Sequence, residues 1–224
     1  MINNNYTKKI LIIFTLLLLY VTIVSGQEEK STDSVLDFYL KRAKSVYNSR
    51  NFVKIGAVYS FVARTYQSEF TRNGILDLKD SSIVNYYYSF GELDSQTVVV
   101  STNDKLDSLD FSYPNVFEKD YEFNFFPHDI GGDNISIGID SDKTRNLSPV
   151  GIAVINRKNY ILNKLYLYYP GKNKYKQYSK VISLKEFEGI IFPDSIDNTF
   201  AKMGIFSSNH FRRLTVIDSF TVSH

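Results

Sequence analysis

The chain has no cysteine and no tryptophan, and only three histidines and five prolines in 224 residues. Without thiols there is no disulfide framework, no thiolate nucleophile, no zinc–thiolate site and no cysteine to carry a lipid anchor. His128, His210 and His224 are the whole supply of imidazole, and a catalytic or metal site would draw on one of the first two. An excess of charge is lacking as well. The formal net charge of +2 comes from Lys8 and Lys9, and the rest of the chain balances. A nucleic-acid binder needs a basic surface to neutralise phosphates, so the charge balance argues against that class. No Gly-x-Ser-x-Gly elbow supplies a nucleophile, and Gly131, Gly132 and Gly138 fall into no phosphate- or dinucleotide-binding pattern. No cofactor is expected, and an enzyme ranks below a binding protein because no paired catalytic groups emerge.

One long apolar run is present, Ile10 to Val24, preceded by Lys8 and Lys9 and followed by the small residue Gly26. That order reads as a signal peptide over 1–26, cleaved after Gly26, and predicts export with a mature chain from Gln27. The alternative is a retained anchor, but the run is 15 residues, short of the roughly 20 that span a bilayer as a helix. Residues 27–224 are expected to form one domain, long enough to bury about 70% of the surface of its unfolded chain.

Phenylalanine and tyrosine, at 17 each, favour a pleated, half-buried surface. Thr32 or Asp33 can cap a helix to about Asn48, with Leu36, Tyr39, Leu40, Ala43, Val46 and Tyr47 at helical spacing. Past Asn51 the period changes to two, with Val53, Ile55, Ala57, Tyr59, Phe61 and Ala63 on one side. Strand-like runs follow at about 69–79, 83–90, 96–101, 121–126, 134–139, 150–156, 160–169, 175–184, 190–196 and 211–222. Between Thr102 and Lys119 the pattern allows a loose helix or a long loop. The expectation is a mainly β (α+β) fold, a meandering antiparallel sheet with an N-terminal helix.

Three local clusters have chemical readings and plainer ones. His128 beside Asp129 in Pro127 to Gly132 would pair an imidazole with a carboxylate, but Pro, Asp and Gly are what a surface turn requires. Asp140, Asp142 and Thr144 have the alternate spacing that opens a calcium loop, yet Arg145 stands where such a loop needs glycine. Lys172, Lys174, Lys176 and Lys180 surround one hairpin, either to dock on anionic headgroups or to blunt an exposed edge.

Two longer segments carry a family resemblance. The first is Gly74-Ile75-Leu76-Asp77-Leu78-Lys79, then Tyr86-Tyr87-Tyr88, then Gln96 to Ser101. The second runs from Asn156-Arg157-Lys158-Asn159-Tyr160 through Leu162, Leu165, Tyr168 and Gly171 to Gly189-Ile190-Ile191-Phe192-Pro193. Together they resemble the LolA-like outer-membrane lipoprotein carriers, or lipoprotein-sorting proteins, over about half of the chain.

The resemblance implies a curved antiparallel half-barrel whose concave face is covered by the N-terminal helix. It further implies a periplasmic, non-catalytic carrier of lipoproteins or other acylated amphiphiles, receiving cargo from an inner-membrane transporter and passing it to an outer-membrane acceptor. The candidate apolar cavity is lined by Leu36, Leu40, Ala43, Tyr59, Phe61, Leu76, Tyr86, Tyr88, Tyr166 and Tyr168. The rings of such a sheet line a hollow or fill the space themselves, and both outcomes stay open. An envelope lipid-sensing or protein-interaction module of the same fold is the second reading. One position departs from the pattern: the carriers place an arginine after the lysine of the first motif, and this chain has Asp80. A carboxylate cannot donate as a guanidinium does, so a closed state here would rest on Leu36, Leu40 and Ala43.

Overall fold

The computed structural model describes residues 34–51, 58–71, 73–109, 111, 115–117, 121–125, 132–141, 150–169, 175–203 and 208–223. The signal-peptide reading, the His128 turn, Asp142 to Arg145 and Lys172 to Lys174 lie outside them. The chain divides into two compact units, Met1–Phe38 and Tyr39–His224. Of the first, the described part is the opening turn of helix α1 (34–50), where Leu36 is buried and Val35 and Phe38 are exposed.

In the second unit α1 continues with Ala43 and Tyr47 buried and Leu40 half-buried, while Lys41, Arg42, Lys44 and Ser45 are exposed. This is the amphipathic stripe expected from the helical spacing. Asn51, just past the helix, forms a parallel bridge with Ile191.

Ten strands follow: β1 (Val58–Phe70), β2 (Leu76–Ser89), β3 (Glu92–Ser101), β4 (Tyr121–Phe125), β5 (Asn134–Ser141), β6 (Val150–Asn156), β7 (Leu162–Tyr168), β8 (Tyr175–Phe187), β9 (Ile190–Met203) and β10 (Ser208–Ser223). They make one sheet in the order β3-β2-β1-β10-β9-β8-β7-β6-β5-β4, which is open at β3 and β4. Every neighbouring pair is antiparallel. One meander runs outward from β1 to β3, the other runs from β4 inward to β10, and the β1–β10 ladder joins them.

Turn chemistry sets the registers. Phe90 and Gly91, between β2 and β3, have φ of 55° and 85°, and Glu188 and Gly189, between β8 and β9, have 49° and 86°. Two consecutive positive φ values make a type I′ hairpin, whose twist matches that of the strands. Among the described residues between Thr102 and Lys119 there is a 3₁₀ turn, Asp104–Leu106, with the Asn103 side chain accepting from the Lys105 amide. Leu106, Phe111, Val116 and Phe117 are buried, so this stretch contributes to the core. Among the described residues no helix is long and apolar enough to cross a membrane.

Candidate functional site

One face of the sheet is buried, and its rows can be followed strand by strand. On β1, Tyr59, Phe61, Ala63 and Thr65 are buried in alternation, as period two demands. The central row crosses from Ser82 through Thr65, Thr215, Ile196, Ile182, Leu165 and Ala153 to Ile137. All eight residues are buried. The Thr65 and Thr215 hydroxyls bond each other at 3.1 Å, which satisfies both polar groups inside the row.

Towards the β1 start the same face is aromatic. Tyr59 and Tyr88 stack at 5.3 Å, Phe61 and Tyr86 at 5.3 Å, and Phe61 meets Phe192 at 4.7 Å and Phe111 at 4.9 Å. Phe220 closes the group against Tyr59 at 5.3 Å. These spacings are those of rings in mutual contact. Burial pushes the Tyr86 phenol up to about 12 and raises the Tyr59 phenol further. The Tyr86 hydroxyl donates to the Asp107 carbonyl at 2.9 Å. Tyr59, Phe61, Tyr86 and Tyr88 are thus brought together, and what their rings touch is one another.

The other proposed cavity residues are dispersed. Ala43 is buried on α1 and Leu40 half-buried beside it. Leu76 is 37% exposed at the start of β2. Tyr166 and Tyr168 require correction: they alternate onto the opposite face, at 41% and 38% exposure, while Leu165 and Leu167 take the buried positions. The leucines are wholly apolar and the tyrosines carry a polar tip that can reach solvent, which suits this arrangement.

Towards the other end of the buried face lies a polar row. Cross-strand partners Asp80, Gln67, Arg213, Asn198 and Lys180 follow one another, ending against Leu167. Arg213 Nη2 donates to Gln67 Oε1 at 2.8 Å, and Gln67 Nε2 and Asn103 Nδ2 approach Asp80 Oδ2 at 3.4 and 3.1 Å. Asn198 Oδ1 accepts from the Tyr178 hydroxyl at 2.8 Å. Lys180 is buried at 8% exposure, uncommon for an ammonium group. Beyond this row comes a second aromatic one. Phe211 pairs across the ladder with Phe200, and Phe200 with Tyr178. The Phe200 and Phe211 rings stack at 5.5 Å, and Tyr178 meets Tyr169 at 5.2 Å. All four are only half-buried. The buried face is therefore closed at its first aromatic end and partly open at its second, with a row carrying two cations and one carboxylate between.

Of these two rows the sequence singles out Lys180, in the basic hairpin, and Asp80, at the departure from the carrier pattern; the other residues carry no such reading. On β9 the signal was alternation continued past the expected strand end, Ile196, Asn198, Phe200, and on β10 it was alternation within the expected run, Phe211, Arg213, Thr215. Asp80, where the resemblance implies an arginine, is an acceptor for two neutral amides.

The opposite face carries shallow hollows. One of about 190 Å³ is lined by Ser60, Asn85, Tyr87, Ser219 and Thr221, and one of about 250 Å³ by Tyr168, Ser179, Thr199 and His210 among others. Among the described residues no three His, Cys, Asp or Glu side chains gather as a metal site would require.

The fold and the face define a class: a single open antiparallel sheet of ten strands with one packed face and a charged row inside it. No family model matches the chain, and no curated protein does. Among solved structures it is similar to a Vibrio parahaemolyticus domain described as an outer membrane lipoprotein-sorting protein. That likeness has 9% identity and a TM-score of 0.40, and covers 82% of this chain and 91% of that one. It is also similar to a chain from MucB in complex with MucA(peri) and to one from the Pseudomonas aeruginosa MucA/MucB complex, each with 6% identity and a TM-score of 0.24. These cover 79% and 81% of this chain, and 94% and 99% of those chains.

Proposed function

We propose that this protein is a non-catalytic binding protein of the bacterial envelope. It takes up the acyl chain of a lipoprotein or another acylated amphiphile and delivers it towards the outer membrane, receiving it from an inner-membrane donor. The observation that carries this reading is the graded buried face. The Phe200, Phe211, Tyr178 and Tyr169 row is apolar yet half-buried, and directly beside it Lys180 and Arg213 offer cationic donors. An apolar surface adjoining a buried and a half-buried cation suits a molecule with an aliphatic tail and an acidic head. Each methylene buried contributes about 0.8 kcal/mol, so a tail of ordinary length suffices for reversible binding. The first aromatic end, whose rings pack on one another, serves this reading as scaffold rather than pocket.

The test is a titration of the purified protein with a fluorescent fatty acid, together with a native mass spectrum of protein taken from its own envelope. Saturable uptake is expected, weakened about tenfold or more by Phe200→Asp, and weakened for the acid but not for the matching alcohol by Lys180→Gln. No saturable uptake together with no co-purifying lipid would sink the reading and leave the interaction module in its place.

A further inference from the structure

The two open edges of the sheet are built differently. β4 has five residues and β3 has ten. Short edge strands resist pairing with other chains, whereas a long one presents a row of free N–H and C=O groups. Nine of the ten β3 residues are exposed. Across the ladder Val84 and Tyr88 are buried, yet their partners Val98 and Leu93 are 43% and 45% exposed. Burial on this face thus stops between β2 and β3, with apolar side chains on the uncovered side.

The usual guards are missing from this edge. Glu92 to Ser101 contains no lysine, no arginine and no proline. It does have two bulges, at Asp94 and at Val99, and these bracket a regular stretch from Ser95 to Val98. The charge is one-sided: Glu92 and Asp94 are acids at the start, and Val98, Val99 and Val100 are apolar at the end. A second copy of β3 would bring no cation to the acidic end. An antiparallel strand that begins with aliphatic residues and ends with basic ones complements both ends at once.

We infer that β3 is a docking edge that takes an extended, C-terminally basic peptide segment of a partner protein as an eleventh, antiparallel strand of the sheet. Main-chain hydrogen bonds along Ser95 to Val98 supply the affinity, and side chains covering Leu93 and Val98 and facing Glu92 supply the selection. The inference is independent of amphiphile uptake, which uses the central strands β8 to β10 and a different set of residues.

The probe is a synthetic ten-residue peptide alternating valine and threonine and ending in two lysines, followed by fluorescence anisotropy against the purified protein. Saturable binding is expected. It should fall about tenfold or more with Thr97→Lys, which places a charge on an exposed edge position and leaves thermal unfolding unchanged, and fall with added salt through Glu92. The same peptide with alternate backbone nitrogens methylated should not bind. Absence of saturable binding, equal binding by the methylated peptide, or equal binding by Thr97→Lys would each overturn the inference. So would a concentration-dependent dimer abolished by Thr97→Lys, which would assign the edge to a second copy.

Discussion

Replacing Phe61 with alanine tests whether the first aromatic end is a packed core or the wall of a hollow. Phe61 is 2% exposed, and the rings of Tyr86, Tyr88, Phe111, Phe192 and Phe220 lie at 4.7 to 6.0 Å from its own. In a packed core the truncation removes transfer free energy and leaves a cavity that the stiff β-sheet cannot collapse, at a cost of about 3–5 kcal/mol. Each lost ring pair adds a specific contribution, already within that range. Against a total stability of about 5–15 kcal/mol, a loss near 4 is about a quarter or more of the whole. For a chain of this size the melting temperature should drop by about 8–16 °C. Urea denaturation followed by far-UV circular dichroism gives the free-energy difference directly. The vacated space is apolar and stays dry, so the variant should take up benzene and the parent should not. A loss below about 1.5 kcal/mol would refute the reasoning, because a ring lining an empty hollow forfeits few contacts when removed.

Three further outcomes follow from the same geometry. Tyr86 ionises near 12 in the folded protein against 10.0 for a free phenol, and Tyr59 is shifted in the same direction. The unfolded chain therefore binds fewer protons above about pH 10, and stability present below that pH should be lost as pH rises towards 12; a urea midpoint that stays flat over this window would contradict the burial. A Cβ added at Gly151 would run into the Tyr166 carbonyl on the neighbouring strand, so Gly151→Ala should destabilise by about 1–3 kcal/mol in thermal melts, with β6 and β7 forced apart. Glu188 holds a positive φ in a type I′ turn, and since asparagine tolerates that region better, Glu188→Asn should raise the melting point, by roughly 0.5–1 kcal/mol of stability.

The local periodicities were legible and the long-range pairings were not. β6 occupies Val150–Asn156, the same bounds expected from the sequence, because a continuous apolar run is flanked there by turn residues. The run expected at 69–79 instead straddles a turn. There the Thr71 amide donates to the Ile75 carbonyl, and Gly74 adopts a φ of +75°. The Asn73-Gly74 pair was the available turn signal. On β7 Tyr166 and Tyr168 take the exposed face and Leu165 and Leu167 the buried one; a tyrosine presents an apolar ring and a polar tip and suits either face, whereas leucine gains more from full burial. The polar row is harder still. Gln67 and Arg213 are 146 residues apart, and no local window relates them. What joins them is the β1–β10 ladder, a pairing between the first strand of one meander and the last of the other.

Asp80 belongs to a hydrogen-bonded set within the polar row. The resemblance implies an arginine there, a donor, whereas this chain supplies an acceptor. Gln67 sits between Asp80 and Arg213, and its amide can serve both in one orientation: the carbonyl faces the guanidinium and the nitrogen faces the carboxylate. Asn103, at the end of the edge hairpin, presents a second donor to the same carboxylate oxygen. An arginine at position 80 would meet two donors and find no acceptor, so the acid and its neutral partners form one consistent set. The cations of the row stand on β10 and β8 instead, as Arg213 and Lys180, beside the half-buried aromatic row. The positive charge of the row thus stands at the centre of the sheet rather than at its edge side. An acidic headgroup would there meet donors next to an apolar track, whereas at position 80 it would meet a carboxylate.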